Sequence, residues 1–219
     1  MNPRTLALDT IASDPRLSAL LERVTPLLPQ DDPGHDLEHC LRVAGWAMRC
    51  GGEPRDAVAA ALLHDVVNLE KNDPRRAEAS GLSAARARDI LGELGFERVD
   101  LIADAIEDHS YSRGATPRSP LGDALQDADR LEALGALGLF RTVSTGTRMG
   151  ARYFHPGDPW AEAREHDDLR FTVDHFFTKL LRLPATFRTA VGRAEAERRV
   201  TFMRGFLDQL GDELGRPLP

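Results

Sequence analysis

Apolar residues recur at three- and four-residue intervals along almost the whole chain, and strict alternation is scarce. A 3.6-residue period puts side chains on one face of a helix, whereas a half-buried strand needs a period of two. The chain therefore predicts an all-α fold, and its prolines and glycines mark where helices start and stop. Ser13-Asp14-Pro15 opens a first helix carrying Leu17, Leu20, Leu21 and Val24. Pro26, Pro29 and Pro33-Gly34 end that region, and a second helix spans about 35–50 before Gly51-Gly52. A third begins after Glu53-Pro54 and runs into Ala60-Ala61-Leu62-Leu63-His64-Asp65. Residues 66–82 read as irregular, with a turn at Asn72-Asp73-Pro74. Ser83 then caps a fourth helix ending at Gly95, and a fifth covers about 98–109. After a loop at 110–120, a sixth helix carries Asp127 to Leu131 and the small-residue run 133–139. Residues 142–160, with three glycines and two prolines, read as a mobile excursion. Two long helices, about 161–183 and 184–214, close the chain. With no repeat and no linker, the expected architecture is a single-domain helical bundle over residues 1–219.

Composition removes several classes of function. A net charge of −7 argues against a nucleic-acid polymer as partner. No apolar run approaches the roughly 18 residues of a membrane span, and the N-terminus lacks the order of a signal peptide. The two cysteines, Cys40 and Cys50, have no metal-binding spacing and suit free thiols in a reducing cytoplasm. The expectation is a cytoplasmic monomer or homodimer.

The informative residues are polar groups on apolar faces. His39 lies at offsets of 4, 7 and 11 from Val43, Trp46 and Cys50, one face of the second helix. His109 continues the stripe of Val99, Ile102 and Ile106, and Asp129 shares a face with Leu125, Ala133 and Ala136. His64-Asp65 ends an apolar run. Buried carboxylates need a partner, and imidazole with carboxylate is a good ligand set for a transition ion.

In order, these residues resemble the H…HD…D signature of the HD superfamily of metal-dependent phosphohydrolases. Gly34-His35-Asp36-Leu37-Glu38-His39-Cys40-Leu41-Arg42-Val43 is similar to its GHDxxHxxRV opening. Ala61-Leu62-Leu63-His64-Asp65 resembles its ALLHD segment, and Ala128-Asp129-Arg130-Leu131 its ADRL segment. Lys71, His109-Ser110-Tyr111-Ser112 and His175-Phe176-Phe177-Thr178-Lys179-Leu180-Leu181 extend the likeness to a bacterial stand-alone subset, over about 34–210. Some members of that subset hydrolyse nucleoside triphosphates to monophosphate and pyrophosphate.

The resemblance implies a pattern core at about 34–140, with C-terminal helices 161–214 packed on it. It implies one divalent ion on His39, His64, Asp65 and Asp129, with Asp127, about 200° round the helix, left behind the ligands or at the surface. Manganese leads among candidate ions, with Fe, Co, Ni, Mg or Zn open. The implied activity (EC 3.1 or 3.6) is attack of metal-bound water on phosphorus in a nucleotide or other small phosphorylated molecule, of the nucleoside triphosphate pyrophosphohydrolase type. A phosphodiesterase for a cyclic or dinucleotide substrate and a non-catalytic nucleotide sensor are the alternatives. Lys71 and His109 are the candidate catalytic residues, His109 as phosphate contact, proton donor or ligand to a second ion. Arg113 and Arg118 are the candidate substrate-binding residues, since guanidinium suits phosphate. Arg42 and Glu132 read as structural. Asn68 stands where some nucleotidase members carry a glutamate base, and His155, His166 and His175 have no assigned role.

Overall fold

Three helices of this chain start alike, with a polar side chain placed just before a proline. Asn2, Asp14 and Glu53 accept hydrogen bonds from the backbone N–H of Thr5, Arg16 and Asp56, and Pro3, Pro15 and Pro54 occupy the first turn, where a missing N–H costs nothing. The structure is a computed structural model describing residues 1–29, 32, 34–67, 69, 73, 75–110 and 114–219. Among these residues there are ten α-helices and no named strand; an isolated bridge joins Arg152 and Phe171. The all-α class follows the apolar period. No helix among the described residues is long and apolar enough to cross a membrane.

The chain divides into two compact units, Met1–Asp129 and Arg130–Pro219. The first holds α1 (Pro3–Ala12), α2 (Pro15–Val24), α3 (Leu37–Arg49), α4 (Pro54–Leu63), α5 (Ala79–Glu93), α6 (Val99–Asp108) and most of α7 (Pro120–Leu131). Its centre is α4, which touches α1, α2, α3, α5 and α6. Every residue of α4 from Ala57 to Leu63 is fully buried. A helix that is apolar all round belongs in the interior, and the short side chains of Ala57, Ala59, Ala60 and Ala61 let its neighbours come close. His64 is the C-terminal cap of this central helix, so His64-Asp65 is held by the best-buried element of the unit.

The same close packing holds α1 against α3. A Cβ added at Gly45 would lie 1.9 Å from the Pro3 carbonyl oxygen and 2.5 Å from its Cα. Backbone must move to accept it, so Gly45→Ala is expected to cost about 1–3 kcal/mol. Urea unfolding should show a lower midpoint at unchanged slope, and an unchanged midpoint would mean that α1 does not dock there in solution.

The second unit contains the end of α7, α8 (Gly135–Arg148), α9 (Asp174–Thr178), a 3-10 segment (Leu180–Thr186) and α10 (Ala190–Leu214). α10 packs on α8 and on the 3-10 segment, starts at the Thr189 hydroxyl, which accepts from Gly192 N–H, and stops at Gly215 in the left-handed region (φ 61°).

Several expectations are corrected. α1 lies ahead of the first expected helix, although Asn2-Pro3 repeats the start signal of Asp14-Pro15. Ser83 is no cap: α5 begins at Ala79, and the Ser83 hydroxyl instead accepts from Val67 N–H at 3.1 Å. The expected sixth helix is two, because the chain turns at Gly135 with φ 74°, and the second of them runs on to Arg148. The expected long helix at 161–183 is mostly loop. There the Asp158 carboxylate takes the N–H groups of Glu162 and Ala163, and buried Asp174 takes Asp167 N–H while ion-pairing Arg164 (Nη2–Oδ1 2.8 Å). Side chains satisfy the donors that a helix would have used, and α10 accordingly starts at Ala190 rather than Pro184.

Candidate metal centre

The first unit gathers His39, His64, Asp65, His109 and Asp129 at the C-terminal end of α4. α3 supplies His39, fully buried beside Val43 and Trp46 as the face pattern requires. α4 supplies His64 and Asp65, α6 ends on His109, and the last turn of α7 supplies Asp129. His39 and His64 are fully buried, whereas about a quarter of each aspartate side chain is exposed (23% for Asp65, 25% for Asp129). The imidazoles thus form the floor of the site and the carboxylates its open side.

The histidines are oriented by a repeated contact. His64 Nδ1 lies 2.8 Å from the Ala61 carbonyl oxygen and His109 Nδ1 2.6 Å from the Ile106 carbonyl oxygen. A carbonyl only accepts, so Nδ1 carries the hydrogen in both rings and Nε2 is the atom presented to the site. Each acceptor lies three residues upstream, at a helix end where carbonyls lack intrahelical partners. The helix termini thereby fix the tautomer.

The presented atoms converge. His39 Nε2 and His64 Nε2 are 3.2 Å apart. Asp129 Oδ1 lies 3.6 Å from the first and 3.8 Å from the second. The Asp65 carboxylate meets four imidazoles: His64 Nε2 at 3.2 Å, His109 Nε2 at 3.7 Å, and His39 and His35 Nε2 each at 4.0 Å. Among the described residues, two groups of donor atoms have the spacing to hold an ion, His39–His64–Asp129 and His64–Asp65–His109, each within 4.8 Å.

Facing imidazole nitrogens and carboxylates need positive charge between them, either a proton or a metal ion. Burial works against charge on His64, but Asp65, Asp129 and the Cys40 thiol outweigh it and hold the pKa well above the usual imidazole range. Burial likewise opposes ionisation of Asp65 and Asp129, yet His64 and the other imidazoles keep both below the usual carboxylate range. Burial pushes the Cys40 thiol up. Two imidazoles and two carboxylates together carry −2 once the proton leaves, which matches a divalent cation, and the mixed N/O donor set suits a transition ion. The residues fit such an ion.

Other candidates fall elsewhere. Lys71 and Arg113 lie outside the described residues, as do Asn68, Glu70, Tyr111 and Ser112. Arg118 is bound to the C-terminal end of α6: Nε donates to Asp108 Oδ2 at 2.8 Å, and Nη2 donates to Asp108 Oδ1 at 3.0 Å and to Glu107 at 3.1 Å. These carboxylates raise its pKa to still higher values. A phosphate would have to displace them. Asp127 is fully buried, so it is not a surface residue, and Asp129 is the aspartate of that pair in the donor group. Glu38 takes a two-pronged contact from Arg4, with Arg42 contributing positive charge nearby. Glu132 is fully buried. In the second unit His155 accepts from Gly157 and Asp158 N–H, His166 packs on Phe177, and His175 Nδ1 is 2.8 Å from Asp168.

Three residues that support the site carry no sequence signal of that role. Ser83 tethers Val67, two residues past Asp65. Buried Gln126 donates to the carbonyls of Asp108 and Ala115, joining α7 to the end of α6 and to Ala115. His35, four residues before His39, faces Asp65. Its position in Gly34-His35-Asp36 was visible, but no apolar face marked it.

Residues 36–134 match the HD domain family. The Bacillus subtilis protein YpgQ is 32% identical over 201 residues, covering 87% of this chain and 90% of YpgQ. The chain belongs to the HD-domain family. The match contains all five residues of the centre. A structure of Bacillus subtilis YpgQ in complex with ADP superposes with a TM-score of 0.68 at 28% identity, covering 95% of this HD-domain chain and 96% of YpgQ. An HD-superfamily hydrolase from Bacillus thuringiensis matches with a TM-score of 0.68 at 30% identity, covering 90% and 96%.

Proposed function

We propose that this HD-domain protein is a metal-dependent phosphohydrolase of nucleotides that releases pyrophosphate from nucleoside triphosphates. The observation that carries the reading is the convergence of imidazole Nε2 atoms and carboxylate oxygens at the end of α4. Kinship with an HD-superfamily hydrolase supports hydrolysis, and ADP bound to YpgQ supports a nucleotide ligand.

His39, His64, Asp65 and Asp129 would hold one divalent ion, with manganese the leading candidate. Such an ion supplies Lewis acidity to a phosphoryl oxygen and to water. The chain does the rest. The buried imidazoles keep water from the floor of the site, and the half-open carboxylates leave the substrate one direction of approach. His109, with Nδ1–H committed to Ile106, presents an Nε2 lone pair that takes up the proton of the attacking water and then passes it to the leaving oxygen. Lys71 and Arg113 are the cations assigned to the phosphate chain. Arg118, locked on Asp108, holds the loop that follows His109 rather than the substrate. The second donor group, His64–Asp65–His109, is the observation that favours the alternative of a two-ion phosphodiesterase.

The test is protein stripped of metal, reloaded with manganese, and offered nucleoside tri-, di- and monophosphates and cyclic dinucleotides. Pyrophosphate and monophosphate from the triphosphates in equal amounts is the expected result. Turnover of cyclic dinucleotides alone, with two ions per chain, would move the assignment to the diesterase. Nucleotide binding without turnover would make the protein a sensor.

A further inference from the structure

A helix leaves its last carbonyls without intrahelical partners, and at the end of α6 side chains of the site take two of them. The Ile106 carbonyl oxygen accepts from His109 Nδ1 at 2.6 Å. The Asp108 carbonyl oxygen accepts from Gln126 Nε2 at 3.0 Å, and the same nitrogen lies 3.2 Å from the Ala115 carbonyl oxygen. Two carbonyls facing one amide atom identify it as the nitrogen, whose two hydrogens serve one each. Gln126 is fully buried. It lies three residues before Asp129 on α7, on the same side of the helix. The Asp108 carbonyl belongs to the planar peptide group that carries the His109 nitrogen, so gripping it restrains the backbone from which the imidazole hangs. The Asp108 carboxylate is held separately, by Arg118 Nε at 2.8 Å, Nη2 at 3.0 Å and N–H at 3.2 Å. The residue before His109 is thus fixed at both its side chain and its carbonyl, while His109 Nε2 stands 3.7 Å from Asp65 Oδ1.

We propose that Gln126 is a positioning residue that acts through His109. By tying the Asp108–His109 peptide to α7, it sets the reach of His109 Nε2 relative to Asp129, which the same helix carries. The contact to Ile106 fixes the imidazole about its own side-chain bonds, and Gln126 fixes the backbone beneath it. An apolar side chain of similar size would fill the volume but leave two carbonyls unpaired, free to turn towards other donors. A peptide group that turns takes the imidazole with it, and proton transfer needs its heavy atoms within hydrogen-bond reach. This assignment rests on the phosphohydrolase reading above, with His109 as the group that carries the proton.

The experiment compares full chains of wild type, Gln126→Leu, Gln126→Asn, His109→Gln and the double variant Gln126→Leu/His109→Gln, with two readouts. The first is the proton NMR signal of the hydrogen on His109 Nδ1 in the metal-free protein, identified by its absence from His109→Gln. It should be lost or displaced in Gln126→Leu, while the matching signal of His64 stays in place. The second is turnover of nucleoside triphosphates by manganese-loaded protein, with metal content measured on the same samples. In Gln126→Leu, kcat should fall about ten- to a hundredfold at unchanged KM and unchanged metal content. Gln126→Asn keeps an amide one methylene short and should fall between; it decides the case on the same readouts if the leucine variant does not fold. In the His109→Gln background, Gln126→Leu should cost less than about twofold more, because the residue it positions is gone. Losses that multiply in the double variant overturn the assignment, since Gln126 then acts independently of His109. An unchanged His109 signal with unchanged kcat overturns it as well, and loss of manganese from Gln126→Leu overturns it in favour of a role in holding Asp129. A wild type that turns over no nucleotide overturns the phosphohydrolase reading, and the His109 signal then decides alone whether Gln126 places the ring.

Discussion

His64→Ala is expected to lose both the divalent ion and all nucleotide hydrolysis. His64 is in both donor groups, its Nε2 lies 3.2 Å from His39 Nε2 and from Asp65 Oδ2, and its ring is fully buried. Loss of an outer partner of a metal ligand typically costs 10- to 100-fold in affinity or activity. Removal of a shared central ligand should exceed that range. Elemental analysis after dialysis should show an empty site, and assays should show no turnover above background. The variant should also be less stable at neutral pH. Asp65 and Asp129 would lose the imidazole that keeps them ionised, while the cavity adds its own cost. His64→Gln keeps most of the volume and separates these effects, since it should stay folded and still fail to retain the ion. Metal content equal to wild type in both variants would remove His64 from the ligand set.

The second large effect is the pH dependence of metal binding. In the metal-free protein His64 keeps its proton well above the usual range, and Asp65 and Asp129 stay ionised well below theirs. A raised folded pKa at His64 contributes stability that is complete below the unfolded value near 6.5. That contribution is lost as pH rises through the raised folded value. Lowered pKa values at the aspartates contribute stability that is present above about 3.9 and lost as pH falls through the folded values. These three groups therefore hold the metal-free fold best between about pH 4 and 6.5. An ion needs the Nε2 lone pair of His64 and must displace its proton. Apparent affinity should rise by up to about tenfold per pH unit while His64 remains protonated. At a fixed manganese concentration the gain in Tm should be greater at pH 8 than at pH 6. Calorimetry in two buffers of different ionisation enthalpy should count about one proton released per ion bound. A Tm gain that shrinks with pH would contradict the assigned charge state.

The centre was legible because its residues break a periodic rule. A histidine at the register of Val43 and Trp46, and an aspartate at that of Leu125, stand out on faces that should be apolar. The family order of the motifs then joined four separate helices. The same logic made α4 readable, since a run without polar interruptions can only be an interior helix. What escaped were residues whose work is to satisfy backbone groups distant in sequence. Ser83 looked like a cap because serine usually bonds its own helix, yet its partner is Val67. Asp158 and Asp174 unwind the expected helix at 161–183 by taking amide hydrogens locally, and nothing in their spacing sets them apart from solvated aspartates. His35 has no apolar neighbours in register, so only its geometry against Asp32 and Asp65 reveals it.

The central claim is that His39, His64, Asp65 and Asp129 share one divalent ion. The most direct measurement is anomalous scattering from crystals of the protein grown or soaked with manganese. The predicted result is a strong peak bonded to His39 Nε2, His64 Nε2 and a carboxylate oxygen of each of Asp65 and Asp129. A chain free of bound manganese, or one whose only peak lies away from these four side chains, would contradict it.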